Sequence, residues 1–526
     1  MTHRISIFDI PHITDLIAYY LDPPDIASCT LVSKDFNARF QPSLWRTILI
    51  DNKKIDALVP KLGFKSGLEM MMNFRWTRRM ALSADCRKAM LPLLIWQCNN
   101  LREVATIVND YQTFQVVLAL VTTNQRQLRS WTLCYRDTLD VPALQQLSRV
   151  ISHSFRLTTL EMSLQFSPPL GWFGHLLKNL PQSLSELHVV WAENIDDEPQ
   201  SERRVAFPFR DWSSDTKFPQ LKAVEFGMGL EPGEEDVLVQ FLERCPVLQE
   251  LDLPTMETLQ FNPLLTVLGP TARTLTKLSN LYLGWMNVMT DNQWRDLILA
   301  MRGRIEEFSA DTDFRTPSTF FVPNMVRYWS NTLRSLRFLY LAPIYNSDVQ
   351  LILTTCVGLK AFECTSVANL DTTVTTQDNS DTNIAGLDMG DWVCLGLEEL
   401  QMSFLNVLPH GTPQPVERVE YLYQQIGRLT NLKELSIGWS TTEGLTANAH
   451  LDMSLQSGLS LMQNLEALES LDISRIKKIK VGLDEATWIL RHWPKLTHIR
   501  GLRYRADGPE QECFHKLSER QDLTVD

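Results

Sequence analysis

The chain has 526 residues, more than one compact core holds and enough for two or three domains or one elongated array. Hydrophobic residues make up 44% and charged residues 21%, a folded chain rather than a disordered one. A net charge of −12 argues against gripping a nucleic-acid backbone over a broad surface, and the longest obvious apolar run, Val116 to Val121, is too short to span a bilayer. The N-terminus, MTHRISIFDIPH, lacks the zones of a signal peptide. Nine cysteines are scattered with no C-x-x-C pair, and no Asn-x-Ser/Thr acceptor occurs, which points to a reducing compartment, cytosol or nucleus.

The first organised stretch runs from Ile7 to Ile48. Ile10, Ile13, Leu16, Ile17, Tyr20 and Leu21 fall at helical spacing. Asp22-Pro23-Pro24-Asp25 breaks that helix, because proline donates no hydrogen bond and restricts the residue before it. A second helix is predicted around Ile26, Cys29 and Thr30. After Leu31-Val32-Ser33, a third carries Phe36, Ala38 and Phe40, and Pro42-Ser43-Leu44-Trp45 closes the segment. Three short helices cannot bury all these side chains against one another, so another protein is expected to complete some of the apolar surface. The residues alone also fit an ordinary three-helix cap.

This pattern resembles the F-box through Ile10-Pro11, Leu16-Ile17, Leu21, Asp22-Pro23, Asp25-Ile26, Leu31-Val32-Ser33 and Leu44-Trp45, in order and without gaps. Ile10 stands where the family usually has Leu, Phe36 where it has Trp, and His12 where it often has Glu. With the repeats that follow, the layout is similar to the fungal type of F-box/leucine-rich-repeat proteins. The resemblance implies docking onto a Skp-family adaptor and, through it, a cullin-RING ubiquitin ligase. Expected adaptor contacts are Ile10, Pro11, Ile13, Leu16, Ile17, Leu21, Ile26, Leu31, Val32 and Trp45; some of these must instead hold the helices together.

Residues 51–99 are predicted to form a packed helical connector, with Leu58, Leu62, Phe64, Leu68, Met71, Met72, Phe74 and Trp76 as its apolar residues and a basic cluster at Arg75, Arg78 and Arg79. From residue 100 the unit L-x-x-L-x-L recurs, a short strand followed by a helical stretch. It starts at Leu101, Leu128, Leu157, Leu184, Leu221, Leu248, Leu278, Ile305, Leu333, Leu359, Leu397, Leu432, Leu468 and Leu496, at intervals of 26 to 38 residues. The expected fold is α/β: a three-helix F-box over 1–50, then a leucine-rich-repeat solenoid over 100–526, curved parallel sheet inside and helices outside. Thr106 and Gly501 occupy the third apolar position of the first and last copies, as in capping repeats. In the 333 copy two registers fit equally well.

Helices are predicted from Asp291 to Arg304, with Asp291 as cap, and from Glu231 to Cys245. Cys98, Cys245 and Cys356 each stand three residues before a repeat start, where a small buried residue lets helix and strand approach. Polar insertions are expected near 192–215, 369–391 and 440–459. Phosphate-loop, dinucleotide, H-E-x-x-H and G-x-S-x-G patterns are absent, and the ten histidines form no metal-ligand cluster, so neither enzyme activity, metal nor cofactor is expected.

Side chains of a strand alternate, so repeat positions four and six face the core while three, five and seven line the open concave face. That face reads Thr159, Glu161 and Ser163; Glu186, His188 and Val190; Ala223 and Glu225; Glu250 and Asp252; Asn280 and Tyr282; Glu307, Ser309 and Asp311; Ala361 and Glu363; Glu399 and Gln401; Glu434 and Ser436; Ser470 and Asp472, with bases His498 and Arg500 only at the end. The expected substrate contacts are Glu161, Glu186, Glu225, Glu250, Asp252, Tyr282, Glu307, Asp311, Glu363, Glu399, Glu434 and Asp472, a negative stripe for a basic segment of an unknown substrate protein. A plain solvated face is the bland alternative. Trp191, Trp285 and Trp439 share position eight, whose parity favours the core. The function expected is substrate recognition for a ubiquitin ligase; the alternative is an interaction scaffold that delivers nothing for ubiquitination.

Overall fold

The computed structural model describes residues 10–50, 73–83, 97–169, 171–191, 216–227, 234–253, 265, 267–268, 277–283, 290–311, 321–339, 344–368, 390–404, 416–439, 453–474, 476, 481–502 and 509–526. The chain divides into two compact units, Met1–Leu248 with Thr274–Thr276, and Gln249–Arg273 with Lys277–Asp526.

The first unit opens with helices α1 (Pro11–Tyr20), α2 (Pro23–Val32) and α3 (Lys34–Leu44). Prolines occupy the first turns of α1 and α2, where a missing N–H costs nothing. Ser33 separates α2 from α3, and its Oγ accepts a hydrogen bond from the Phe36 N–H at 3.1 Å, capping the third helix. The interior of the three helices is small: Ala18, Ile26 and Phe40, with Ile17, Leu21, Cys29, Phe36 and Leu44 packed around them. Phe36 and Phe40 stack at 5.6 Å, so Phe36 spends its ring inside.

The chain then enters a parallel sheet earlier than expected. β1 (Thr47–Ile50) pairs with β2 (Arg79–Leu82), and β2 with β3 (Glu103–Val108). β4 (Ser130–Tyr135), β5 (Thr159–Leu164), β6 (Glu186–Trp191) and β7 (Ala223–Gly227) continue the parallel order within this unit. Of the connector predicted as helical over 51–99, the described residues are 73–83 and 97–99, and the former make a 3-10 turn, Phe74–Trp76, followed by β2 instead of a helix. Residues 51–72 and 84–96 lie outside the described residues. Trp45 packs edge-on against Phe74 at 5.9 Å and ties the last turn of α3 to the repeats.

The second unit stacks β8 (Glu250–Leu253), β9 (Asn280–Leu283), β10 (Glu307–Asp311), β11 (Ser335–Leu339), β12 (Ile344–Tyr345), β13 (Ala361–Ala368), β14 (Glu399–Phe404), β15 (Glu434–Trp439), β16 (Ser470–Asp472), β17 (His498–Arg500) and β18 (Thr524–Val525), every described pair parallel. Each unit is thus an α/β solenoid of repeats. All fourteen repeat starts read from the sequence precede a strand by two residues. The 333 register is settled by burial: Leu333, Leu336 and Phe338 are inside and Arg337 is out.

The hydrogen-bond pattern shows why the period holds. The carbonyl of position two accepts from the N–H groups of positions two and three of the next repeat, as Arg102 O does from Arg129 at 2.7 Å and Ser130 at 3.1 Å. Positions four and six fill the core, for example Trp131 with Leu133 and Leu435 with Ile437. The helix predicted to be capped by Asp291 is capped one residue earlier. Thr290 accepts from Gln293 N, and Gln293 Oε1 accepts from Thr290 N, a reciprocal box. Trp191 is buried against Trp172 and Phe173, on the core side that its parity indicates; Trp285 and the Trp439 side chain lie outside the described residues, as do the insertion residues 192–215, 369–389 and 440–452. The remainder of the third insertion turns through short 3-10 segments at Leu455–Ser457 and Leu459–Met462.

Cys98, Cys245 and Cys356 are fully buried, and Cys394, three residues before Leu397, repeats the pattern. Burial pushes the thiols of Cys98 and Cys356 up to about 12, that of Cys394 up to about 11 and that of Cys245 higher still. Native chain treated with a disulfide thiol reagent at pH 8 therefore leaves these four unmodified, and denaturant exposes all of them; modification of any of the four at the rate of a free thiol contradicts the packing.

Candidate functional site

Two surfaces of the described residues are candidates for recognition. The first is the outside of the three helices. Leu16 is 58% exposed, Tyr20 78%, Leu31 84% and Val32 67%, and Ile10 and Tyr19 are exposed as well. Leu16 and Tyr20 are four residues apart and share a helix face, while Tyr19 packs edge-on against Tyr20 at 5.4 Å. The expected adaptor contacts therefore divide. Ile10, Leu16, Leu31 and Val32 are uncovered and Ile13 is half-buried, whereas Ile26 is interior and Ile17 and Leu21 pack onto the same interior. These three hold the helices together, and Trp45 is spent on Phe74. The side chain of Pro11 lies outside the described residues. Tyr19 was not among the expected contacts, and Tyr20 only counted towards the helix pattern; aromatic residues with polar tips blur the division between solvated and apolar faces.

The second surface is the open side of the strands. In the first unit the acids are held by neighbours on adjacent strands. Glu161 accepts from Thr132 Oγ1 at 3.0 Å, Glu186 from Thr159 Oγ1 at 3.2 Å, and Glu225 pairs with His188 at 2.7 Å. In the second unit the position-three row runs Glu250, Asn280, Glu307, Ser335, Ala361, Glu399, Glu434, Ser470, His498 by register. The position-five row runs Asp252, Tyr282, Ser309, Arg337, Glu363, Gln401, Ser436, Asp472, Arg500. Tyr282 donates its hydroxyl to Glu307 Oε2 at 2.7 Å, and burial together with that bond pushes its pKa up, so it is a neutral donor. The Asp311 side chain lies outside the described residues.

Arg337 corrects the expectation of an unbroken acidic stripe. It stands in the middle of the row, with Nε 3.9 Å from Glu363 and Nη2 3.7 Å from Glu399. Its repeat is the one in which two registers compete, so the sequence assigns Arg337 to no face. Between Arg337 and Arg500 lies a depression of about 250 Å³, lined also by Glu363, Glu399, Gln401, Glu434, Ser436, Ser470 and Asp472. Among the described residues of its lining, four carboxylates and two guanidiniums leave it net negative but carrying both signs. Such a surface selects by charge pattern as well as by charge.

Among the described residues, no group of three or more His, Cys, Asp or Glu could hold a metal ion, and no helix is long and apolar enough to cross a membrane. All eight described cysteines are free thiols. No protein-family model matches the chain, and no curated protein matches it. Among solved structures it is similar to one described as the crystal structure of the Rad7 and Elc1 complex in yeast, at 11% sequence identity and a TM-score of 0.39, over 100% of this chain and 98% of the other.

Proposed function

We propose that the chain is the substrate-recognition subunit of a Skp–cullin–F-box ubiquitin ligase. Its three N-terminal helices dock onto a Skp-family adaptor, and its repeats hold the substrate protein. The observation that carries this reading is the uncovered apolar set Ile10, Leu16, Tyr19, Tyr20, Leu31 and Val32 on a helical segment whose own interior needs only Ala18, Ile26, Phe40 and their close neighbours. The contribution to ubiquitin transfer is proximity: substrate and loaded enzyme are held in one assembly, and no covalent step falls to this chain. The substrate segment that suits the depression carries Lys or Arg for the carboxylates, with an acid for Arg337 or Arg500.

The test is reconstitution of the full chain with a Skp-family adaptor, a cullin and its RING partner. Co-elution of all four supports the ligase reading. Capture of the adaptor with no cullin leaves an interaction scaffold, and no capture of the adaptor sinks the reading.

A further inference from the structure

The first unit carries a concentration of positive charge that its described residues do not neutralise. Position two of its first four repeats is arginine each time: Arg46, Arg78, Arg102 and Arg129, the residue immediately before β1, β2, β3 and β4. Strands stack about 4.8 Å apart, so these side chains start from neighbouring points of one edge. The second unit treats the same position differently. There Arg334 pairs with Glu306 at 3.5 Å, and Glu398 lies between Lys360 at 3.3 Å and Lys433 at 2.6 Å. In the first unit none of Arg46, Arg75, Arg78 and Arg102 forms an ion pair with a carboxylate among the described residues. Burial, and then the guanidiniums of Arg78, Arg129, Arg46 and Arg156, lower the pKa of Arg102, the mark of like charges pressed together.

Arg46, Arg75, Arg78 and Arg102 line a polar pocket of about 200 Å³. Its floor is fixed: Arg75 lies over the Trp76 ring at 4.7 Å, and Asn100 Nδ2 donates to the Arg75 carbonyl at 3.0 Å. Asp15 is the single carboxylate among the described residues of the lining, where four cations face one anion. We propose that this pocket binds a phosphate monoester. Guanidinium forks match phosphate oxygens in pairs, and a monoester near pH 7 brings about −1.5 to −2 of charge, which one carboxylate does not. The space is below the roughly 300–1,000 Å³ of a drug-sized ligand site, so it takes a headgroup rather than a whole organic molecule. The phosphate arrives either on a phosphorylated protein side chain or on a soluble phosphorylated small molecule. The site stands on the first unit's own residues, apart from the adaptor reading.

Calorimetry on the full chain uses three probes: a short Ala/Gly peptide with one phosphoserine, the same peptide unphosphorylated, and inositol hexakisphosphate. Binding of the phosphopeptide but not its parent assigns a phosphoprotein source, and binding of inositol hexakisphosphate alone assigns a soluble one. In either case Arg78→Gln with Arg102→Gln weakens binding at least about tenfold, while Arg149→Gln, an exposed position on a helix of the same unit, changes it less than about twofold. Matching melting curves show that the variants are folded. Binding that the double variant leaves intact, a parent peptide that binds as well as the phosphopeptide, or no binding of either phosphorylated probe at millimolar concentration overturns the proposal.

Discussion

A chain carrying Leu16→Lys with Leu31→Lys loses at least about a hundredfold in affinity for a Skp-family adaptor and melts within about 1 °C of the parent chain. Leu16 and Leu31 lie on the outer surface of the helices. Both are more than half exposed in the free chain, so removing them forfeits little internal packing. Each would regain about 1.5–3 kcal/mol on full burial, and two together span about 3–6 kcal/mol, or roughly two to four decades in Kd. Lysine adds the cost of desolvating a charge in an apolar contact. Phe40→Ala is the contrasting variant: its ring is 1% exposed and central to the helices, so it costs about 3–5 kcal/mol of local stability. Amide exchange over Pro23–Leu44 then accelerates along with any loss of binding. Affinity measured by calorimetry beside exchange separates the two effects, and full affinity in the lysine variant removes the adaptor reading.

That division between interface and interior was not legible in the sequence. Leu16 and Ile17 differ by one residue and barely in chemistry, yet one is exposed and the other packs onto Ala18, Ile26 and Phe40. A pattern of aliphatic residues locates helices without saying which stripe the chain covers for itself. The repeats were legible because Leu-x-x-Leu-x-Leu states position one, four and six together. β1 and β2 were missed because Trp45 and Thr77 fill position one, and β18 because Asp522 does. Missing those strands also hid the arginine row. Arg46 reads as a lone basic residue, and Arg78 as a member of the cluster with Arg75 and Arg79, until both are aligned with Arg102 and Arg129. Arg337 was lost for a related reason, since Leu336-x-x-Leu339-x-Leu341 imitates the true register three residues further on.

Gly501→Val opens the C-terminal repeats while leaving the first unit intact. The third apolar position of this copy holds glycine because of backbone, not because the core is satisfied there. Gly501 has φ +98°, a region costly for any side chain and most of all for a β-branched one. A Cβ at that point would also meet the Ser474 backbone and lie 2.6 Å from the Ile473 carbonyl carbon, main-chain atoms that cannot rotate away. On either side, Ile473 N donates to Arg500 O and Gly501 N donates to Asp526 O, each at 2.9 Å, so displacement of this residue strains β16, β17 and β18 together. Left-handed strain alone is worth about 1–3 kcal/mol, and the backbone collision adds to it. In a stack whose repeats are stabilised by neighbours, such a loss stays local. Exchange of the Ile473, Ile499 and Asp526 amides should rise at least about a hundredfold, a shift of about 2.7 kcal/mol, with no change over Tyr111–Asn124. The consequence reaches the open face, because Asp472 and Arg500 form one end of the depression that begins at Arg337. A substrate segment read by that pattern of charge should bind Gly501→Val more weakly at unchanged total charge. Unchanged exchange at Ile473 and Ile499 would show that a side chain fits there after all.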